Sequence, residues 1–257
     1  MLKLSLLVSL GLLAKAADES AKVTSLPGQD TFDFGYYSGY LQLNGTKMLH
    51  YVFLESQKAP STDPLVVWFN GGPGCSSMLG LTQEHGPYVM ESGTDYFHPN
   101  EYSWNKFANM LYIESPAGVG FSYCNSTEDC TFDDNSSADD NLQALLEWFK
   151  SYSEYLTNDL YISGESYAGI YVPYLVDRID TYNNETSGDK LNLVGFMVGN
   201  GVTNWKFDTT PAYTNIAYWH GLYSQEMYDE YLALDCKDQY GQFSSENLTE
   251  ACAKWYY

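Results

Sequence analysis

The first pattern along the chain is an apolar run at residues 4–13, preceded by Lys3 and followed by Ala14-Lys15-Ala16. A positive start, an apolar stretch too short to span a bilayer comfortably, and an A-x-A-like end predict a signal peptide over 1–16. Beyond it, strands are predicted at 36–43 (Tyr-Tyr-Ser-Gly-Tyr-Leu-Gln-Leu) and 49–54 (Leu-His-Tyr-Val-Phe-Leu), joined by an Asn44-Gly45 turn. Short continuous apolar runs at 65–69, 110–113, 160–162 and 193–198 predict strands buried on both faces. Between them, Leu142, Leu145, Leu146 and Phe149 fall at i, i+3, i+4 and i+7, which predicts a helix over 138–152. Asp139 and Asp140 load its first turn. A second helix is predicted over 168–177. Strand and helix alternate from 65 to 200, the signature of an α/β sheet with helices on both faces. Residues 211–257, rich in Tyr, Asp and Glu, predict a more helical lid or cap. No repeat or low-complexity segment divides the chain, so 17–257 reads as one unit.

Composition narrows the function. The chain has 257 residues and a net charge of −21, from 12 Lys+Arg against 33 Asp+Glu. Nucleic acid is an improbable partner, because phosphate contacts need a basic face. Acidity of this degree also suits work at low pH, where protonation relaxes self-repulsion. Twenty-four tyrosines and six tryptophans supply large aromatic surfaces for a core and a cleft. No apolar segment of about 18 residues follows the signal, so no membrane span is expected after its removal.

Five N-x-[ST] sequons, at Asn44, Asn125, Asn135, Asn184 and Asn247, fit a glycoprotein of the secretory route. Five cysteines contain no C-x-x-C pair, which argues against zinc and thioredoxin-like redox chemistry. No metal or cofactor is expected. Proximity pairs Cys124 with Cys130 and Cys236 with Cys252, leaving Cys75 odd.

Two segments carry the candidate chemistry. In Gly164-Glu165-Ser166-Tyr167-Ala168-Gly169, a G-x-S-x-G-like turn between strand and helix exposes Ser166 as a nucleophile, with Gly164 letting the backbone turn. Asn70-Gly71-Gly72-Pro73-Gly74 leaves the strand at 65–69 and lacks the Gly-Lys-[Ser/Thr] ending of a phosphate loop. Beside a serine nucleophile, its task is to present a backbone N–H to an oxyanion. Gly72 and Tyr167 are the candidate donors.

Trp68-Phe69-Asn70-Gly71-Gly72-Pro73-Gly74-Cys75-Ser76-Ser77 and the Ser166 segment together closely resemble the serine carboxypeptidases. Glu84 with Gly86-Pro87, the run Asn-Met-Leu-Tyr-Ile-Glu-Ser-Pro-Ala-Gly-Val-Gly-Phe-Ser-Tyr at 109–123, and Gly199-Asn200-Gly201 add to the resemblance, which runs from about residue 30 to the end. It implies an α/β-hydrolase fold and removal of single residues from the C-termini of peptides or proteins at acidic pH. It also implies that Asn70, Glu84 and Glu165, with the Gly71 backbone, bind the substrate's terminal carboxylate. Two acidic groups can face an anion because crowded carboxyls do not both ionise, and the protonated one donates. Trp68 packs in the core or beneath that site. Cys75 resembles a family cysteine bonded to a residue much further along.

The triad order in this fold is Ser, Asp, His. After Ser166 only His220 remains, earlier than the family places its catalytic histidine. His50, His85 and His98 precede the nucleophile, and a rescue by His220 with Asp208 is disfavoured. The expectation is therefore an N-terminal part whose Asp and His lie in further sequence or a second chain, with negligible peptidase activity alone. Acyl transfer by the same site and an inactive peptide-binding paralogue stay open as other functions. The expected location is the lysosome, the vacuole or the extracellular space.

Overall fold

Alternation at 36–54 folds as a hairpin. The computed structural model describes residues 19–29, 31–208, 210–236 and 248–256; the predicted signal peptide and Asn247 lie outside them. Strands β1 (Tyr36–Gln42) and β2 (Lys47–Leu54) pair antiparallel from Tyr36 opposite Leu54 to Gln42 opposite Met48. Gly45 takes the turn at φ +73°.

Three of the four continuous apolar runs become interior strands of the sheet; the fourth, at 193–198, forms the terminal strand of the order and is not buried on both faces as predicted. Strand β3 (Leu65–Phe69) is followed by a one-turn helix (Gly80–Glu84) and a two-residue pair, β4 (Tyr88–Val89) with β5 (His98–Pro99). Strand β6 (Asn109–Ile113) and the short β7 (Tyr123–Cys124) precede helix α1 (Asp134–Ser151). Then come β8 (Leu160–Glu165), α2 (Ala168–Glu185) and β9 (Leu193–Gly199). The main sheet runs β1-β2-β6-β3-β8-β9, with β7 paired to β2. Strand β3 lies between parallel β6 and β8, and β9 is parallel to β8. Every residue of β3 and β6 is buried, as continuous apolar runs require.

The two faces are covered unequally. Leu65, Val67, Phe69, Leu111, Ile113 and Ile162 point to the face where α1 and α2 pack. On the other face, Val66, Trp68, Met110 and Tyr112 meet Leu81 of the one-turn helix and the N-terminal residues Val23, Leu26, Phe32 and Phe34.

Helix α1 starts four residues before its predicted start. Asp133 accepts the Ser136 N–H at 2.7 Å and the Ser136 hydroxyl returns to the Asp133 N–H at 2.8 Å, a reciprocal cap. Its buried stripe is Ala144, Leu145, Trp148 and Phe149; Leu142 and Leu146 lie at the rim. The aromatic payload of Trp148 wins the centre, stacked on Tyr152 at 4.6 Å.

The C-terminal part is helical as predicted: α3 (Trp205–Asp208), α4 (Thr210–Trp219), α5 (Gln225–Ala233) and α6 (Glu250–Tyr256). Tyr231, Cys236 and Cys252 form a small core there, closed by the predicted Cys236–Cys252 disulfide. The Cys124–Cys130 disulfide is also present, and Cys75 is free and exposed. On β9, Val194, Phe196 and Met197 are exposed at the end of the strand order. No helix among the described residues is long and apolar enough to cross a membrane.

Candidate active site

Strand β8 delivers Ser166. It ends at Glu165, Ser166 takes φ +60°, and α2 begins at Ala168. A non-glycine residue in the left-handed region costs on the order of 1–3 kcal/mol, held here by the surroundings. The Ser166 N–H donates to the Gly199 carbonyl at 3.0 Å, and the Ser166 carbonyl accepts from Gly169 and Val202 at 3.0 and 2.9 Å. The hydroxyl-bearing residue is exposed. Gly164 contributes differently from expectation: the positive φ belongs to Ser166. Gly164 is needed because a Cβ there would strike the Phe69 carbonyl and lie 2.6 Å from the Ala168 Cβ. Its smallness lets helix and strand approach.

The glycine loop meets this elbow directly. A Cβ on Gly71 would collide with the Tyr167 amide nitrogen and lie 2.9 Å from the Ser166 Cβ. Gly72 follows at φ +112°, open to β-substituted residues only under strain. The sheet register thus brings the two backbone stretches of Gly71-Gly72 and Ser166-Tyr167 side by side, β3 delivering one and β8 the other.

Asn70 organises the adjoining corner. Its Oδ1 accepts from Trp68 Nε1 and from the Gly80 N–H, both at 2.9 Å. That occupancy fixes the amide's orientation and aims Nδ2 outward. Nδ2 donates to Glu84 Oε1 and to Glu165 Oε1, each at 3.0 Å. Two carboxyl groups 81 positions apart in sequence are thereby held by one amide. Burial pushes the Glu84 carboxyl up; the Asn70 hydrogen bond pulls it down, and the facing Glu165 charge adds to the rise, which prevails. Trp68 is both core and support: 6% exposed, it also orients Asn70.

Beneath this corner lies His85, buried and stacked on Trp104 at 4.2 Å, with its edge contact to Trp68 at 4.3 Å. Its Nδ1 shares a 3.0 Å hydrogen bond with the Tyr112 hydroxyl, and burial pushes its pKa down to about 4.

No histidine is hydrogen-bonded to Ser166 among the described residues. His50 bonds Ser38 and Glu114, and exposed His220 bonds the Ile216 carbonyl. Asp208 instead accepts from Thr203 and Asn204 at the start of α3, and this capping holds its carboxyl below the ordinary range. Sequence reasoning quoted Glu114 within the run at 109–123 but assigned it no role. A charged residue directly after the apolar run at 110–113 was the available signal. No group of metal-ligating residues occurs among the described residues. Asn44, Asn125, Asn135 and Asn184 are all exposed.

Three comparisons bear on this geometry. A family model described as serine carboxypeptidase matches residues 27–256. "Serine carboxypeptidase-like 21" of Arabidopsis thaliana is 43% identical over 247 residues, covering 94% of this chain and 50% of that protein. The "Lysosomal protective protein" of Mus musculus is 42% identical over 229 residues, covering 88% and 46%. The chain spans about half the length of the curated relatives it matches. Among solved structures, the prohormone-processing carboxypeptidase KEX1(delta)p of Saccharomyces cerevisiae superposes with a TM-score of 0.67. That match has 23% identity and covers 87% of this chain and 52% of that one, so it speaks for the fold. The sheet with its covering helices is the expected α/β-hydrolase type.

Proposed function

The chain belongs to the serine carboxypeptidase family, and on that premise we propose that it supplies the nucleophile, oxyanion donors and carboxylate clamp of a serine-type carboxypeptidase. The observation that carries this reading is the pair of carboxyls held by the Asn70 amide one residue from Ser166. With the Glu84 carboxyl raised, one of the two retains a proton under acidic conditions and donates it in a hydrogen bond to a peptide's terminal carboxylate. The Asn70 amide and the Gly71 N–H complete the clamp. The scissile carbonyl one residue upstream then faces Ser166. Attack by Oγ forms a tetrahedral oxyanion at the Gly72 and Tyr167 N–H groups, and collapse expels the terminal amino acid and leaves an acyl-enzyme that water cleaves.

The general base of this reaction is none of the four histidines, since His50, His85 and His220 are hydrogen-bonded elsewhere, His98 packs against Tyr96, and none is hydrogen-bonded to Ser166 among the described residues. We assign the Asp and His to polypeptide outside these 257 residues. The exposed apolar positions of β9 support this, being where further structure would extend the sheet. The two disulfides and the exposed sequons support a secretory-route glycoprotein, lysosomal, vacuolar or extracellular.

Calorimetry at pH ~5 tests the clamp. An N-blocked dipeptide with a free carboxylate should bind at least about tenfold tighter than its C-terminal amide, since the amide leaves the buried polar groups mispaired. Equal binding of the two would remove the reading. Ser166→Ala should keep that preference and abolish covalent labelling by a fluorophosphonate. Near-normal release of C-terminal residues by the 257-residue chain would overturn the assignment of the base.

A further inference from the structure

A second carboxylate, fully buried, lies apart from the clamp. Glu114 follows the last residue of β6, and its side chain is 0% exposed. It accepts hydrogen bonds from the Ser76 hydroxyl, from His50 Nδ1 at 3.0 Å and from the Phe121 N–H at 2.8 Å. Its backbone is tied as well: its N–H donates to the His50 carbonyl at 3.0 Å and its carbonyl accepts from Ser122 Oγ at 2.6 Å. Burial alone would raise its carboxyl, but the His50, Ser76 and Phe121 donors outweigh burial and hold it below the ordinary range. Burying a carboxylate is costly unless it is fully paired. Pairing of this completeness marks a group whose position matters, yet it hydrogen-bonds neither Ser166 nor the Asn70 corner.

What it does touch is the glycine loop. At the loop's start, Asn70 is fixed by Trp68 and Gly80. At its end, Ser77 donates to the Ile113 carbonyl at 2.6 Å and accepts the Asn70 N–H at 3.3 Å. Ser76 is bound by Glu114, and Cys75 N–H closes the turn onto the Gly71 carbonyl at 3.0 Å. Gly71, Gly72 and Gly74 between these anchors have no side chains with which to hold their own place. The end of β6 therefore sets where the loop lies.

We propose that Glu114 is a positioning residue of the oxyanion loop, acting through Ser76 on the segment that presents the Gly72 N–H. The catalytic meaning of this rests on the function proposed above; the mechanical part does not. The 257-residue chain is compared with Glu114→Gln, Ser76→Ala and the double variant by hydrogen exchange of peptides covering 70–79, by Ser166 fluorophosphonate labelling, and by melting. Either single change should speed exchange of the loop amides roughly tenfold while peptides of α2 exchange as before. Because both act on one link, the double variant should do no more than the larger single. Labelling should slow by about tenfold or more in the same variants, as expected for a displaced oxyanion donor. Ser76→Ala is the safeguard against misfolding, since it leaves the buried carboxylate with His50 and Phe121. Unchanged loop exchange in Ser76→Ala, or additive effects in the double variant, would overturn the proposal. If the unaltered chain takes no label, as a Ser166 without its base allows, exchange alone decides whether Glu114 holds the loop, while the functional reading is decided separately by the preference for a free carboxylate over its amide.

Discussion

Glu165 and Ser166 are adjacent in the chain and belong to two regions with opposite states of completion. The corner around Glu165 is wired throughout: Trp68 and Gly80 orient Asn70, and Asn70 binds both glutamates. At Ser166, one residue on, the backbone is anchored by Gly199, Gly169 and Val202, while no histidine is hydrogen-bonded to the hydroxyl among the described residues. The difference teaches that the Asn70 corner is assembled from β3, β8 and the loop between β3 and β6 alone. The order of the Asn70 corner is set by these elements, and on the proposed function the activation of Ser166 needs groups from elsewhere.

Four experiments break or sharpen that contrast. The largest effect is expected from Asn70→Ala, which strands Trp68 Nε1 and the Gly80 N–H in a buried site and leaves two carboxyls facing each other. Two orphaned donors should cost ~4 kcal/mol in urea unfolding. A loss below about 1 kcal/mol would mean the corner is not structurally integral.

Next comes acid. His85, beneath the clamp, has a folded pKa of about 4 against 6.5 unfolded. Its neutral form is the one the fold accepts, so the contribution is fully present above pH 6.5 and is lost as pH falls toward 4. The unfolded chain binds the extra proton in that window, and the loss amounts to about 3 kcal/mol. His85→Phe should flatten that part of the stability–pH curve, measured by urea midpoints between pH 4 and 7; an unchanged slope would assign the loss to other groups.

Glu84→Gln addresses recognition alone. With its carboxyl raised, Glu84 loses its proton as pH rises through that elevated value, and affinity for a peptide carboxylate should fall with it. Glutamine stays neutral and keeps a donor, so at pH 7 the variant should bind a blocked dipeptide roughly tenfold tighter than the parent. Near pH 4.5 the two should be alike. Parallel pH profiles in calorimetry would remove Glu84 from the clamp.

The smallest effect is at the nucleophile. Ser166 holds φ +60° with a Cβ, so Ser166→Gly should raise unfolding stability by about 1 kcal/mol while eliminating covalent labelling. A decrease in stability would show that the serine side chain is itself a structural contact.

Legibility in the sequence followed the range of the interactions. Strand β3 was readable to its last residue because five consecutive apolar positions have one stable environment, a site buried on both faces. The elbow at Ser166 was readable because a G-x-S-x-G-like turn between a strand and a helix is a local pattern. The start of α1 was missed because Asp133 and Ser136 cap reciprocally upstream of the periodic positions. Of its periodic positions Leu145 and Phe149 are buried, while Leu142 and Leu146 lie at the rim because Trp148, which leucine spacing does not register, fills the space between helix and sheet.

The sequence alone determined the elements, the elbow and the two disulfides, all set by neighbours within about twenty positions. The resemblance also named Asn70, Glu84 and Glu165 together, and the structure brings their side chains into one hydrogen-bonded corner. Only the tertiary structure decided how the clamp is held: which atom of Asn70 faces which partner, and that one amide serves both glutamates. Only it revealed that Glu114, 38 positions from Ser76 in the chain, accepts the Ser76 hydroxyl's hydrogen bond. The reason is physical: hydrogen-bond partners separated by tens of residues are chosen by sheet register and burial, and neither is written in the local pattern of apolar and polar positions.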